Sequence, residues 1–162
     1  MYNFACLEST EDTDSEFCIF HDRCYLKDDN YEKHTQKIAE KFKERLSKYR
    51  SEKKPLKFID YCLPDISFKD KEFSEEIYFN EAAFYGQADF SNAKFSEEAH
   101  FGAAKFSKGA MFFEAKFSKA VSFDKAKFSG AFFNNGKFSG EASLLELNSL
   151  IQRGFLRLSS LE

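Results

Sequence analysis

The twenty residues AKFSKGAMFFEAKFSKAVSF (104–123) contain the segment AKFSK twice, eleven positions apart. Phenylalanine recurs around them at intervals of five and six residues, from Phe68 to Phe138, so the repeating unit has eleven residues. The composition agrees, because Phe supplies 22 of the 162 residues while Trp is absent and Pro occurs twice. Such dependence on one aromatic residue is typical of a repeat protein.

Most of these phenylalanines have an alanine two positions earlier, and side chains two apart on an extended strand share a face. Ala and Phe are therefore predicted to point inward together, while the residue between them points outward. The predicted interior stack contains Phe90, Phe95, Phe101, Phe106, Phe112, Phe117, Phe123 and Phe128. The predicted outward residues include Lys94, Lys105, Lys116 and Lys127, and one member of each of two adjacent phenylalanine pairs, Phe113 and Phe132.

A long helix is the alternative for an eleven-residue repeat. On a helix, however, residues five apart lie about 140° from each other, so the rings would form two separate stripes. Five glycines within the units would also each cost a helix about 1 kcal/mol. Short strands joined by corners fit better, and four sides of alternating length give a coil of about 22 residues. The segment from Phe68 to Phe138 then makes a little over three coils.

The A-x-F-x-x pattern resembles the pentapeptide-repeat proteins, specifically a Phe-centred branch with an extra residue in alternate units. The resemblance covers about residues 66–140 and implies a mainly β fold, a right-handed quadrilateral parallel β-helix with the Phe and Ala side chains inside. One departure is the run Phe128, Phe133 and Phe138, which has plain five-residue spacing and leaves the outline of the last coil open.

Four regions follow from these patterns: a Cys/His leader at 1–28, an amphipathic helix and linker at 29–54, the β-helix at 55–140 and an apolar tail at 141–162. The helix is predicted from Asn30 to Ser51, with Lys and Glu filling its other faces. Its apolar stripe consists of Ile38, Phe42, Leu46 and Tyr49. This helix is expected to cover one end of the coils. The tail is expected to cover the other end or to form a homodimer contact through Leu144, Leu147, Ile151 and Phe155.

The leader contains a C-x-x-H pair after an earlier cysteine, and it resembles a leader found on some pentapeptide-repeat proteins. A structural zinc site takes four N or S ligands in tetrahedral geometry. The candidate ligands are Cys6, Cys18, His21 and Cys24, with His34 as another candidate for the fourth position. The alternative is a cluster of reduced thiols with an incidental histidine. Cys62 lies outside this set and is expected to be a small apolar residue near the first coil.

Nothing in the sequence has the pattern of an active site. His100, the one histidine inside the repeats, lies at an outward position, and the serines that follow Phe are expected to bond nearby backbone groups at corners. The sequence shows no secretory signal and no apolar segment long enough to span a bilayer, so a cytoplasmic protein without a membrane partner is expected. The net charge of −3 points to no polyanionic ligand, although the charges are uneven. Residues 65–98 contain nine acidic residues against three lysines, and residues 99–142 contain seven lysines against three acidic residues.

We therefore expect a non-catalytic scaffold or protein-interaction module with an unidentified protein partner and no cofactor other than structural zinc. Two alternatives remain. The family resemblance includes proteins that mimic duplex DNA and bind type II topoisomerases, but the outward lysines oppose the dense negative charge that mimicry needs. The second alternative is weak nucleic-acid binding through the leader and the basic end of the coils. Acidic residues that offset the lysines of the helix argue against it.

Overall fold

The structure, a computed structural model, describes Phe20 and residues 31–143. Helix α1 spans Tyr31–Ser51, and seventeen two-residue strands follow it in the described part of the chain. The strands are β1 Leu56–Lys57, β2 Cys62–Leu63, β3 Ile66–Ser67, β4 Glu72–Phe73, β5 Ile77–Tyr78, β6 Ala83–Phe84, β7 Ala88–Asp89, β8 Lys94–Phe95, β9 Ala99–His100, β10 Lys105–Phe106, β11 Ala110–Met111, β12 Lys116–Phe117, β13 Val121–Ser122, β14 Lys127–Phe128, β15 Ala131–Phe132, β16 Lys137–Phe138 and β17 Ala142–Ser143. No helix among the described residues is both long and apolar enough to cross a membrane.

The strands form four parallel sheets, and the chain visits the sheets in turn. Side A consists of β1, β5, β9, β13 and β17, and side B of β2, β6, β10 and β14. Side C consists of β3, β7, β11 and β15, and side D of β4, β8, β12 and β16. Each strand pairs with the strand one coil later, as Phe84 does with Phe106 and Phe106 with Phe128. The predicted four-sided parallel β-helix is therefore confirmed.

Phenylalanine rings fill the interior in four columns, one for each side. On side B the rings of Phe84, Phe106 and Phe128 lie 4.6 Å apart, with nearly parallel planes. The columns of the opposite sides A and C meet edge to face at the centre, as Phe101 and Phe90 do at 5.5 Å and 85°. Both geometries are favourable for aromatic rings, and each such pair stabilises the fold by about 0.5–1.5 kcal/mol beyond the hydrophobic effect of burying the rings. All eight rings of the predicted stack are buried, namely Phe90, Phe95, Phe101, Phe106, Phe112, Phe117, Phe123 and Phe128.

Alternate corners of each coil are tight turns with a residue in the left-handed region. At one of them the amide of Ala93 donates to the carbonyl of Phe90 at 3.1 Å, and Asn92 has a φ of 58°. A positive φ at the third residue is what a type II turn requires. The N–H of Asn92 also donates to the carbonyl of Phe113 in the next coil. The same turn recurs in every coil, with the left-handed position at Asp60, Asp70, Glu81, Asn92, Ala103, Glu114, Lys125 and Asn135.

Helix α1 covers the first coil with the stripe that the sequence predicts. Ile38 and Phe42 are buried, and the ring of Phe42 lies 4.5 Å from that of Phe58 in the first coil. Arg50 donates from Nη2 to the carbonyl oxygen of Glu72 at 2.5 Å and places its guanidinium 5.3 Å from the ring of Phe73. The helix thus bonds a main-chain acceptor on the first strand of side D, which limits edge-to-edge pairing there.

A second contact at this end involves Arg45, a buried charged residue of helix α1. Its side chain is buried and lies over the rings of Phe20 and Tyr61, at 5.0 and 5.6 Å. It also donates to the Tyr61 hydroxyl. The rings of Phe20 and Tyr61 stack at 4.6 Å, and the Phe20 carbonyl accepts from the amide of Cys62 at 2.6 Å. Phe20 therefore occupies the place below Tyr61 that a preceding coil would fill.

The coils extend further than the regular phenylalanine series indicated. A little over three coils were expected from Phe68 onward, but the structure has about four. Phe58 and Leu63 start two of the interior columns, because they continue the five-residue spacing toward the N-terminus. Cys62, expected near the first coil, lies within it on strand β2 and is buried.

The plain five-residue spacing at the last coil has a local cause. Ala88 pairs with Ala110, 22 positions later, whereas Ala110 pairs with Ala131, 21 positions later. The missing residue lies in the corner after Phe128, which contains Ser129 and Gly130. The rings stay in their columns across this corner, and Phe133 stacks on Phe112 at 4.6 Å. A one-residue deletion is therefore absorbed by the corner and leaves the interior unchanged.

Candidate interaction surface

The side chains available for contact with other molecules lie on the outer walls of the coils, because the rings fill the interior. Side D presents the column Glu72, Lys94, Lys116 and Lys137, and all four are exposed. Lys94 donates to the Glu72 carboxylate and forms an ion pair with it. That hydrogen bond holds the pKa of Glu72 below its ordinary value. The upper part of this wall is a ladder of like charges.

Side B differs between its lower and upper coils. Its outward positions in the first two coils are Cys62 and Ala83, both of which are buried. In the upper coils the same positions are Lys105 and Lys127, which are exposed and paired in register. Taken together, the first two coils carry most of the acidic residues of the repeat region, and the last two carry most of its lysines.

Side A carries a small polar cluster on its outer wall. The Tyr78 ring stacks on His100 with centroids 4.5 Å apart, and the Tyr78 hydroxyl donates to the Glu76 carboxylate at 2.8 Å. This hydrogen bond, together with partial burial, raises the pKa of Tyr78 above its ordinary value. His100 Nε2 lies 3.3 Å from the Glu98 carboxylate. These contacts tie the side chains to one another across two coils.

Side C is where the outer wall becomes apolar. Its outward column runs Ser67, Asp89, Met111 and Phe132. Phe132 is 45% exposed, and Phe113, at the neighbouring corner, is 36% exposed. The two rings lie 5.8 Å apart at an angle of 15°, so they stack on each other at the surface. The sequence placed both phenylalanines outward, and the structure agrees.

Serine hydroxyls contact the backbone at several corners. The Ser67 Oγ accepts from the Lys69 amide at 3.3 Å, and the Ser122 Oγ accepts from the Asp124 amide at the same distance. Such local bonds are the ordinary role of serine in turns. Both serines precede a phenylalanine, so the prediction made for the serines that follow one stays a prediction.

Several predicted site residues lie outside the described part of the chain. They are the candidate zinc ligands Cys6, Cys18, His21 and Cys24, the side chain of the further candidate His34, and the tail residues Leu144, Leu147, Ile151 and Phe155. Among the described residues, no group of three His, Cys, Asp or Glu side chains is placed to hold a metal ion. Zinc in the leader and a homodimer contact through the tail therefore stay predictions.

Residues 68–116 match a family model described as pentapeptide repeats, with nine copies. This segment of the chain is therefore a pentapeptide-repeat segment, as its sequence indicated. The match runs from the end of the first coil through most of the third, and it leaves out residues 56–67 and the shortened last coil. No curated protein and no solved structure gave a significant match to the chain.

Proposed function

We propose that this pentapeptide-repeat chain is a non-catalytic scaffold that binds another protein through the outer walls of its coils. The observation that carries the proposal is the division of side chains between interior and wall. The rings occupy the interior at stacking distance, as Phe90 and Phe112 do at 4.8 Å, and the other chemical groups stand on four regular walls. A rigid wall loses little conformational entropy on binding, which favours recognition of a partner surface.

The charge distribution supports a protein partner over duplex mimicry. A DNA duplex carries one negative charge per about 1.7 Å of its axis. On side D, Lys94, Lys116 and Lys137 follow Glu72, and Lys105 and Lys127 stand on side B. These columns of positive charge on two of the four walls are inconsistent with mimicry of duplex DNA. Complementary charge instead steers a protein partner and fixes its orientation.

The proposal is tested by crosslinking from each wall separately. A photoreactive amino acid is placed at one outward position on each side, at Ser122, Lys127, Phe132 or Lys116, and crosslinked products from cells are identified by mass spectrometry. We expect one protein to be recovered repeatedly from one wall, or from two adjoining walls, while the opposite wall gives background. Background from all four walls would contradict the proposal.

A further inference from the structure

The end of the last coil is buried, although no further coil lies above it among the described residues. Strands β14, β15 and β16 are the last strands of sides B, C and D in this part of the chain. Phe128 and Phe133 nevertheless expose only 9% and 1% of their surface, and Ala131 exposes 1%. The rings of a column stack face to face, as Phe112 and Phe133 do, so a terminal ring without a cover would leave one whole face open. The burial of Phe133 therefore requires a cover over its outer face.

The opposite end of the coils shows what such a cover consists of. Phe58 and Phe68 begin two of the columns, and both are almost completely buried. Helix α1 lies over them, and the ring of Phe42 is 4.5 Å from that of Phe58 and 5.8 Å from that of Phe68. An amphipathic segment that lays apolar side chains across the first rings thus closes that end. Burial of the same degree at the last coil calls for a segment of the same kind.

The course of the chain identifies this segment. Strand β17 pairs with β13, and the amide of Phe123 donates to the carbonyl of Ser143 at 2.8 Å. The chain is therefore already above the last ring of side A when it reaches residue 144. Leu144 follows Ser143 as Phe123 follows Ser122, so the register of side A would put Leu144 at the next place in the column.

The sequence after Leu144 has the apolar pattern of an amphipathic helix. The regular phenylalanine series ends at Phe138, so the sequence does not favour a complete fifth coil. Apolar residues instead recur at the spacing of one helix face. They are Leu147, Leu150, Ile151, Phe155 and Leu158. The tail thus has the same kind of apolar stripe that α1 uses at the other end.

Two other occupants are less suitable. A second copy of the chain is not needed, because the rings of the last coil are buried within a single chain. The leader meets the fold at the opposite end, where the carbonyl of Phe20 accepts from the amide of Cys62 at 2.6 Å and its ring stacks on Tyr61. The tail is the segment that starts at the surface to be covered.

We propose that residues 144–162 cover the end of the last coil in the same molecule, with Leu144 above Phe123. The apolar stripe of the tail lies across the rings of Phe128 and Phe133. The tail is then a cap and not a homodimer contact. This inference is independent of the proposed function, but it removes one end of the coils from the surfaces that a partner could occupy.

The test uses nuclear Overhauser effects between leucine methyl groups and phenylalanine rings in the full chain. Residues 64–143 contain no leucine, and Leu46, Leu56 and Leu63 lie at the helix end of the coils. A leucine cross-peak at the ring of Phe133 therefore reports contact with a segment outside the described residues. We expect such cross-peaks at the rings of Phe123 and Phe133.

Two variants and a mixed sample identify the segment. Leu144→Val is expected to remove the leucine cross-peak at the ring of Phe123. Leu26→Val is the matched control, because it makes the same change in the leader, and it is expected to leave that cross-peak in place. Unchanged cross-peaks between phenylalanine rings verify that both variants are folded. A mixture of chains labelled only at phenylalanine with chains labelled only at leucine reports contacts between copies, and it is expected to show no leucine cross-peak at either ring.

Three results would overturn the inference. The first is the absence of leucine cross-peaks at Phe123 and Phe133 in the fully labelled chain. The second is their presence in the mixed sample, which would make the tail a contact between copies. The third is loss of the Phe123 cross-peak in Leu26→Val, which would assign the cover to the leader. None of these results concerns the walls, so the proposed function is decided separately by the crosslinking experiment.

Discussion

A glycine at one corner sets how closely the first two coils approach each other. A Cβ atom added to Gly86 would lie 2.5 Å from the Cα of Asp65 in the first coil and still closer to the Asp65 amide nitrogen. These are backbone atoms, so no side-chain rotation relieves the contact. The close approach arises because the corner of the first coil, at Pro64 and Asp65, is one residue shorter than the corner stacked on it.

Gly86→Ala is therefore expected to separate the two coils at this corner. The separation would break the bond from Ile66 N to Gln87 O at 2.9 Å and the bond from Gln87 N to Asp65 Oδ1 at 2.5 Å. Two lost hydrogen bonds at about 1 kcal/mol each, added to overpacking of about 1–3 kcal/mol, lower the free energy of unfolding by about 3–5 kcal/mol. For a chain of this length the melting temperature would fall by roughly 10 °C.

Gly130→Ala is the matched control, because it makes the same change at a corner of the last coil. A Cβ at Gly130 meets no atom within 4 Å, and neither glycine has a positive φ. We expect the free energy of unfolding of this variant to be unchanged or up to about 1 kcal/mol higher, because alanine restricts the conformations of the unfolded chain. Urea and thermal unfolding followed by circular dichroism measure both variants. Equal stabilities of the two variants would refute the reasoning about coil spacing.

Three further predictions concern the column, the turn and one ion pair. Phe101→Ala is expected to lower the free energy of unfolding, measured in urea, by about 3–5 kcal/mol. Phe132→Ala, at an exposed position, is expected to lower it by less than about 1 kcal/mol. Similar losses in the two variants would contradict the buried columns of rings. Ala103 has a φ of 56°, in the left-handed region that glycine adopts more easily than alanine. Ala103→Gly is therefore expected to raise the free energy of unfolding in urea by up to about 1 kcal/mol, and a lower free energy of unfolding would contradict the turn assignment. Lys94→Met is expected to raise the pKa of Glu72 back to its ordinary value in an NMR titration, and an unmoved pKa would contradict the pairing. Because the folded-state pKa of Glu72 is depressed, the pair stabilises the fold above the ordinary carboxyl pKa, and this contribution is lost as the pH falls through the folded-state value.

Much of the fold follows from a local rule in the sequence. The side-chain period of two along a strand separates Ala and Phe from the residue between them, and that separation recurs on all four sides from Ile77 onward, whereas Lys71 at an inward position is exposed. The helix is predictable for the same kind of reason, because Ile38 and Phe42 repeat at the spacing of one helix face. Both patterns depend only on near neighbours in the chain.

Features that depend on contact between distant segments were not predictable. Arg45 reads as a solvated helix residue, and its burial results from rings at Phe20 and Tyr61 that the fold brings together. The outward positions of Phe113 and Phe132 follow from the pattern, but the stacking of their rings depends on two successive coils lying one above the other. Phe132 pairs in register with Met111, and its ring also reaches the ring of Phe113 one coil below.

The winding itself is tested most directly by ring-to-ring nuclear Overhauser effects in a sample with labelled phenylalanine. Four-sided coils predict cross-peaks between residues 22 positions apart, such as Phe84 with Phe106 and Phe106 with Phe128, whose rings lie 4.6 Å apart. They also predict that residues 56–143 show no series of contacts between positions three and four apart. A continuous series of such short-range helical contacts, with the 22-residue cross-peaks missing, would contradict the structure and the surfaces derived from it.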